Sequence, residues 1–368
     1  MLTSFDDYPI HQATVPIAHS ATGDLNHYDR YFFNGYARDG GLFFAVAMGL
    51  YPNRHVADAS FCAVVGGRQH SVFHTQRAPL DPRDATTLGP IAIAIVQPLQ
   101  TLRVSVDAPE HGLRAELVFD GRSAAIEEPH FFERVGLRTF FDYTRLTQFG
   151  AWSGWIEIDG ERHIVEPDQV WGTRDRSWGI RPVGEAAPSG APVQVPQFFW
   201  LWAPVNFPSC STHFDVNEYG DGRRWHETGA LAPVGGDGSL MRSVEWRVQW
   251  RPGTRWAEHF EYDLVDWDGS VHTVTLTPRI DFHMCGVGYG HSKFAHGTWH
   301  GESLTVGEQL DVPVAQPLTR ENVHVQTMCD AVLVRADGTL EHGMGILEQL
   351  CIGPHPTGLT GLLDGFSA

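Results

Sequence analysis

The fold class follows from the run VEWRVQWR at residues 244–251, in which apolar and polar side chains alternate. Val244, Trp246, Val248 and Trp250 face one side of an extended chain, and the polar residues between them face the other. This period of two predicts a half-buried antiparallel strand.

Other strand-like runs are separated by Asp-Gly pairs, which suit two-residue hairpin turns because both positions need a positive φ. Pairs with strand-like runs on both sides include those at 39–40, 120–121, 159–160, 221–222, 268–269 and 337–338. Helical periodicity is limited to short stretches near Val56–Val64 and Leu359–Leu363, and prolines and glycines recur too often for long helices. The sequence therefore predicts an all-β protein whose hairpin-linked strands close into barrels or sandwiches.

A small, Pro-rich segment without a hydrophobic pattern covers residues 185–196 and divides the chain into nearly equal halves. Each half contains at least three Asp-Gly pairs. We therefore expect an N-terminal β domain over 1–185, a linker over 186–196 and a C-terminal β domain over 197–368.

The composition excludes several classes of partner. The formal net charge is −18 and no run of Lys or Arg occurs, which argues against nucleic acids and anionic membrane surfaces. No signal peptide is visible at the N-terminus, and no apolar run reaches the roughly 18 residues of a membrane span. Five scattered cysteines without a CxxC pair indicate free thiols. We expect a cytoplasmic protein without integral membrane association, and the oligomeric state stays open.

A first candidate site lies in the run WGTRDRSWGIRP at residues 171–182. Asp175 stands between Arg174 and Arg176, close to Trp171 and Trp178, so its charge and solvation depend on its neighbours. Two interpretations are open: an Arg–Asp pair that locks a strand crossing, or an acid in the wall of a pocket.

A second candidate site lies in residues 286–301, where glycines alternate with aromatic residues and three histidines follow. Alternating glycines indicate a strand approached closely by another backbone or by a ligand. In an extended strand His296 and His300 share one face, and His291 lies on the other. Because no cysteine or acid stands at ligand spacing, the segment predicts no metal site, and we expect no cofactor.

A third candidate site is formed by His213, Asp215 and Asn217, which alternate onto one face of a predicted strand. That face is either exposed to solvent or a polar patch inside the domain. The aromatic run Phe198–Trp202 comes just before it and suits either a core or the wall of an apolar binding site. No P-loop, G-x-S-x-G or dinucleotide-binding motif is present, which argues against nucleotide-dependent and serine-hydrolase chemistry.

The residues Asp175, Trp178 and Gly179 resemble the Asp-x-x-Trp-Gly signature of the carotenoid 1,2-hydratase and AttH-like superfamily, which includes kievitone hydratase-like proteins. Residues 288–302 resemble a block in an uncharacterised bacterial branch of that group. The resemblance implies two tandem lipocalin-like antiparallel β domains. It also implies hydration of an alkene, with aspartate as the proton donor and histidine and aromatic residues around it.

On this basis the catalytic candidates are Asp175, His291 and His213. The substrate-binding candidates are Trp178, Arg176, Tyr289, His296, Trp299, Asp215 and Trp202. We further expect Asp175 and Trp178 to face the same cavity or domain junction as the histidine-rich segment.

Alkene hydration gives an independent check on these residue types. An alkene is a weak base, so its protonation needs a positioned acid in a water-poor pocket, and the resulting carbocation needs electron-rich rings. The sequence therefore predicts a cofactor-independent hydratase, dehydratase, isomerase or cyclase acting on an apolar isoprenoid, steroid-like or polyphenolic molecule. The alternative is a non-catalytic carrier of an apolar ligand. Concentrated Asp, Arg and His beside tryptophans favours the enzyme, because buried charge costs stability unless it is used or paired.

Overall fold

The computed structural model describes residues 1–9, 14, 16, 19–78, 85–184, 197–312 and 318–365. The chain divides into two compact units. Unit 1 consists of Met1–Ala187 and Gly286–Asp311, and unit 2 of Pro188–Cys285 and Val312–Ala368. The expected linker at 186–196 lies outside the described residues. The segment Gly286–Asp311 falls within the expected C-terminal domain, yet it packs with unit 1.

Unit 1 is built on one curled antiparallel sheet of 14 strands. The strands are β1 His27–Ala37, β2 Phe43–Tyr51, β3 Val56–Val65, β4 Arg68–Arg77, β5 Thr87–Leu88, β6 Ile91–Gln97, β7 Thr101–Ala108, β8 Leu113–Gly121, β9 Ile126–Glu127, β10 Phe131–Val135, β11 Arg138–Ile158, β12 Glu161–Val165, β13 Val170–Ile180 and β22 Ser303–Asp311. Their main order is β22-β4-β3-β2-β1-β13-β11-β8-β7-β6-β5.

The concave face of this half-barrel is filled by an apolar core. The Trp152 ring lies at its centre, with ring centroids 5.7 Å from Phe33, 5.2 Å from Phe44 and 5.1 Å from Phe119. Its Nε1 donates to the carbonyl of Asn34 at 2.8 Å, so the one polar atom of the indole is satisfied. Truncating such a buried tryptophan to alanine costs about 3–5 kcal/mol. This face of the sheet therefore supplies stability and leaves the opposite face for polar groups.

Unit 2 is built on an antiparallel sheet of 10 strands. The strands are β14 Phe198–Trp202, β15 Val205–Asn206, β16 Cys210–Glu218, β17 Arg224–Pro233, β18 Ser239–Leu240, β19 Ser243–Trp250, β20 Ala257–Val265, β21 Val271–His283, β23 Val325–Val334 and β24 Leu340–Ile352. Its main order is β18-β17-β16-β14-β24-β23-β21-β20-β19. A second apolar cluster, which includes Phe199, Leu201, Phe214 and Phe260, fills one face of this sheet.

The structure confirms the all-β prediction. Five of the six Asp-Gly pairs named above lie in turns between paired strands, and at Asp159 and Gly160 both φ angles are positive. The pair at 120–121 is the exception, because β8 continues through Gly121. The run at 244–251 forms β19, with Val244 and Trp250 buried and the charged residues between them exposed.

Two other local expectations were wrong. The stretch near Val56–Val64, interpreted as a helical turn, is strand β3, which is buried on both faces and so shows no period of two. No helix forms at Leu359–Leu363 either. In the described residues the helices are short 3₁₀ turns, at Ser4–Asp7, Pro52–Arg54, Pro109–His111 and Met284–Val287.

All five cysteines are free thiols, as predicted. No helix in the described ranges has the length and apolar character needed to cross a membrane.

Candidate functional site

A polar cluster lies on the face of the unit 1 sheet opposite the apolar core. Arg30 on β1 pairs with Gly49 on β2, and Gly49 pairs with Asp58 on β3, so the three residues form one row across the sheet. A side chain at Gly49 would overlap the hydroxyl of Tyr51, because a Cβ there would lie 2.3 Å from that oxygen. Glycine therefore makes room for the tyrosine between the arginine and the aspartate.

Hydrogen bonds join these groups into a chain. The Arg30 Nη1 donates to the Tyr51 hydroxyl at 2.8 Å, and that hydroxyl donates to Asp58 Oδ1 at 3.1 Å. Arg30 Nη1 also lies 3.6 Å from Asp58 Oδ1. The backbone N–H of Gly297, where φ is +73°, donates to Asp58 Oδ2 at 2.7 Å. Each oxygen of the carboxyl group is thus held in place by a donor.

The environment of Asp58 favours its protonated form. Burial raises the pKa of the Asp58 carboxyl, although Arg30, the Gly297 N–H and Tyr51 act in the opposite direction. Burial also raises the pKa of Tyr51, so its hydroxyl stays neutral and keeps its proton for the bond to Asp58. The Asp58 side chain keeps 18% of its area exposed to solvent, whereas the Arg30 side chain keeps 1%. A carboxyl with a raised pKa and an open edge is suited to donate a proton.

His296 lies at the other end of the same chain. Its Nε2 is 2.7 Å from Arg30 Nη2 and 2.9 Å from the carbonyl oxygen of Val287. Arginine only donates and a carbonyl only accepts, so an unprotonated Nε2 bonds to Arg30 and a protonated Nε2 bonds to Val287. The ring can therefore gain or lose a proton at Nε2 and keep a hydrogen bond in either state. The Tyr289 ring packs edge-on against it at 4.3 Å.

Asp58 and His296 line a cleft of about 280 Å³, counted with the solvent at its mouth. The aromatic part of its wall comes from Phe73 and Phe294, whose rings stack at 5.2 Å. An acid, a histidine and aromatic rings thus meet in one cleft of unit 1.

The structure gives the arginines beside Asp175 other partners. Arg174 donates to Asp7 through Nη1 at 2.6 Å, and Arg176 donates to Asp29. Neighbouring residues of a strand point to opposite faces, so Asp175 lies on the other side of β13 from both guanidinium groups. The hypothesis that Arg174 and Arg176 stabilise the charge of Asp175 is therefore wrong.

Asp175 and Trp178 also lie on opposite faces of β13. Asp175 pairs with Phe32 on β1, and Phe32 packs against Tyr289 at 6.5 Å, so Asp175 shares the sheet face of the polar cluster. Trp178 pairs with Asp29 and lies on the core side, with Arg176 6.0 Å from its ring. The expectation of one shared cavity therefore fails for Trp178, whereas Asp175, Tyr289 and His296 share one face.

Residues 288–302 form turns and bends, and the strand expected there begins at Ser303. His291 holds these turns together. Its Nδ1 accepts the backbone N–H groups of Lys293 and Phe294, each at 3.0 Å, and its Nε2 lies 2.8 Å from Glu308. Trp299 lies at the surface with 45% of its area exposed. Of the histidines in this segment, His296 is the one whose Nε2 contacts Arg30 of the polar cluster.

The remaining predicted site residues, His213, Asp215 and Trp202, lie in unit 2. All three are buried, so the solvent-facing interpretation of that strand face is wrong. Asp215 accepts hydrogen bonds from Trp200 Nε1 at 3.2 Å and from Asn217 at 2.9 Å. The rings of Trp202 and His213 meet edge-on at 6.2 Å.

Arg30, Tyr51 and Asp58 were not predicted as site residues from the sequence. A usable indication was present, because charged residues interrupt two otherwise apolar or aromatic runs, HYDRYFF at residues 27–33 and VADASFC at residues 56–62. A charged residue inside a buried strand needs a partner and is a candidate for function.

The fold is similar to two solved structures at low sequence identity. One is an AttH-type protein from Nitrosomonas europaea, with 14% identity, a TM-score of 0.55 and coverage of 93% of this chain and 98% of that one. The other is kievitone hydratase from Nectria haematococca, with 9% identity, a TM-score of 0.54 and coverage of 88% of each chain. These similarities confirm the tandem lipocalin-like fold of the superfamily that the sequence resembles.

No curated protein matches the sequence. A family model, the family of unknown function DUF8625, matches residues 2–360, and the chain belongs to that family.

Proposed function

We propose that this member of the DUF8625 family is a cofactor-independent acid–base enzyme that acts on a carbon–carbon double bond, with Asp58 as the acid. The observation that carries the proposal is the Asp58 carboxyl. It is held by Gly297 and Tyr51, its pKa is raised by burial, and it lines a cleft together with His296. The fold shared with kievitone hydratase supports a hydratase, dehydratase, isomerase or cyclase.

The proton of Asp58 goes to one carbon of the double bond, whose π electrons form the new C–H bond. The second carbon becomes a carbocation, and the rings of Phe73 and Phe294 in the cleft wall stabilise it through their electron-rich faces. Water attacks the cation while His296 Nε2 accepts a proton from it. The proton on His296 finally returns to Asp58, directly or through solvent, so the protein ends in its starting state.

The aromatic wall of the cleft and its few polar groups support an apolar substrate of the isoprenoid, steroid-like or polyphenolic class. Asp175 is a second candidate acid, because it lies on the same sheet face. The alternative is a non-catalytic carrier of an apolar ligand, which would bind such a molecule without turning it over.

The test starts with native mass spectrometry of the purified protein to identify a bound small molecule. Candidate substrates of that class are then incubated in ¹⁸O-labelled water, and incorporation of the label is measured. Asp58→Asn keeps the size of the side chain but removes the acid, so we expect turnover to fall by about 10²–10⁴-fold, the usual contribution of a general acid.

Asp107→Asn, an exposed aspartate on the same sheet, is the matched control and should retain activity. Loss of turnover in Asp175→Asn with full activity in Asp58→Asn would transfer the role of the acid to Asp175. Tight binding of a co-purified molecule without any turnover would establish the carrier.

A further inference from the structure

Two guanidinium groups near the candidate site have hydrogen-bond donors without acceptors. The Nε of Arg30, and the Nε and Nη2 of Arg181, are buried atoms without a hydrogen-bond partner among the described residues. A buried donor that is left unpaired destabilises the folded protein, and the cost is larger when the group is charged. Three such atoms on two arginines of one cluster call for a functional explanation.

Two fully buried arginines elsewhere in the protein, Arg174 and Arg255, show what a fully paired guanidinium looks like. Arg174 uses Nε on Gln148 and both terminal nitrogens on Asp7. Arg255 donates through Nε and both terminal nitrogens to backbone carbonyls and to Asp364. Arg30 and Arg181 differ from these two in having donors to spare, as does Arg176 at Nη2 on the core side of β13.

The two guanidinium groups lie close to the same aromatic ring. The Cζ of Arg30 is 5.2 Å and the Cζ of Arg181 5.6 Å from the centroid of the Tyr289 ring, and Arg181 also lies 4.7 Å from Tyr28. Tyr289 and Arg181 each keep part of their surface exposed, so this position lies at the edge of the buried cluster. Their donors and the aromatic surface thus meet beside the cleft that contains His296.

Positive charge exceeds negative charge in this cluster. Burial raises the pKa of Tyr28 to about 12, so that tyrosine is neutral at neutral pH and does not balance an arginine. The carboxyls that act on this cluster are Asp58, which is 3.6 Å from Arg30, and Asp175, which acts on Tyr28, whereas Glu308 on the same sheet face contacts His291 at 2.8 Å. When Asp58 carries the proton that the proposed function requires, two guanidinium groups face one carboxylate.

We propose that Arg30 and Arg181 bind an anionic oxygen group of the ligand: a carboxylate, phenolate or enolate joined to an apolar body. A planar guanidinium matches such oxygens with paired N–H donors, and the Tyr289 ring supplies the adjacent apolar surface. That this ligand is the substrate depends on the proposed function, whereas binding of the anion does not.

Isothermal titration calorimetry with naphthoate and naphthamide tests the proposal on the intact protein. The two probes share their ring and nearly their size, and they differ in charge. We expect naphthoate to bind about 10- to 100-fold more tightly, the range for hydrogen bonds to a charged group. Arg181→Gln should reduce this preference to within about threefold. Arg162→Gln, which removes an exposed guanidinium stacked on Trp155, should leave it unchanged.

Equal affinities for the two probes in the unsubstituted protein would overturn the proposal, as would no binding of naphthoate at millimolar concentration or an undiminished preference in Arg181→Gln. If that variant does not fold, Arg181→Lys keeps the charge, loses the paired donors and should show a reduced preference. Asp58→Asn should keep the preference for naphthoate while it loses turnover, so failure of the catalytic proposal and failure of the anion site give different results.

Discussion

Both units bury polar side chains on the sheet face opposite their apolar cores, but they balance these groups differently. In unit 2, Glu348 receives one hydrogen bond from His324 at 2.7 Å and one from Gln326 at 2.6 Å. Asp215 likewise has a donor on each oxygen. In unit 1, the donors of Arg30 and Arg181 outnumber the acceptors.

The difference separates structural polar groups from functional ones. A buried group whose partners all belong to the same unit stabilises one arrangement of strands, and nothing in it is free to act on a ligand. A buried group with donors to spare costs stability unless a ligand completes it. By this criterion Arg30 and Arg181, on the polar face of unit 1, are candidates for binding a ligand.

The largest effect is expected from breaking the satisfied cluster of unit 2. Glu348→Ala removes the carboxylate that accepts from His324 and Gln326, and removing one partner from a buried pair of this kind costs about 3–5 kcal/mol. Chemical denaturation should show that loss of free energy of unfolding. A loss below about 1 kcal/mol would mean that the polar face of unit 2 is not structural.

A matched pair of arginine variants sharpens the comparison between satisfied and unsatisfied groups. Arg255→Gln breaks hydrogen bonds to several backbone carbonyls and should destabilise the protein by about 2–4 kcal/mol. Arg181→Gln removes a charge whose Nε and Nη2 have no partner, and its free energy of unfolding should change by less than about 1 kcal/mol. Equal losses in the two variants would remove the distinction.

A smaller effect is expected in the pH dependence of stability. Because the pKa of folded Asp58 is raised, the folded protein binds more protons than the unfolded chain between the unfolded and folded pKa values of this residue. The contribution of Asp58 to stability is therefore greatest below the unfolded pKa and falls as the pH rises through the folded one. Relative to the wild type, Asp58→Asn should gain stability over that rise, measured as the difference between their melting temperatures. A difference that stays constant with pH would contradict the raised pKa.

The fold could be predicted from sequence where one sheet face meets solvent. The run at 244–251 has a clear period of two because its alternate residues are exposed, and the Asp-Gly pairs mark most hairpins by their need for positive φ. Strand β3 has no such pattern, since both of its faces are buried, and it was interpreted as helical. Asp58 lies on this strand and was therefore not predicted as a site residue.

Other parts of the site depend on distant pairing that the sequence does not encode in any local pattern. Residues 286–311 lie far along the chain from β4. The pairing of β22 with β4 nevertheless brings this segment, which includes His296 and Gly297, to the sheet of unit 1. By contrast, Asp175 and Trp178 are three residues apart on one strand, and strand alternation places them on opposite faces. This could have been predicted from the sequence.

The central claim, that Asp58 is a carboxylic acid held ready to donate a proton, is tested most directly by titrating that one group. The ¹³Cγ resonances of labelled aspartates are followed by NMR from acid to neutral pH, and the Asp58 resonance is identified by its loss in Asp58→Asn. We predict that it titrates at a higher pH than the exposed aspartates, because burial raises its pKa. Titration at or below the pH of the exposed aspartates would show that Arg30 holds it as a carboxylate, and Asp58 would then not be the acid.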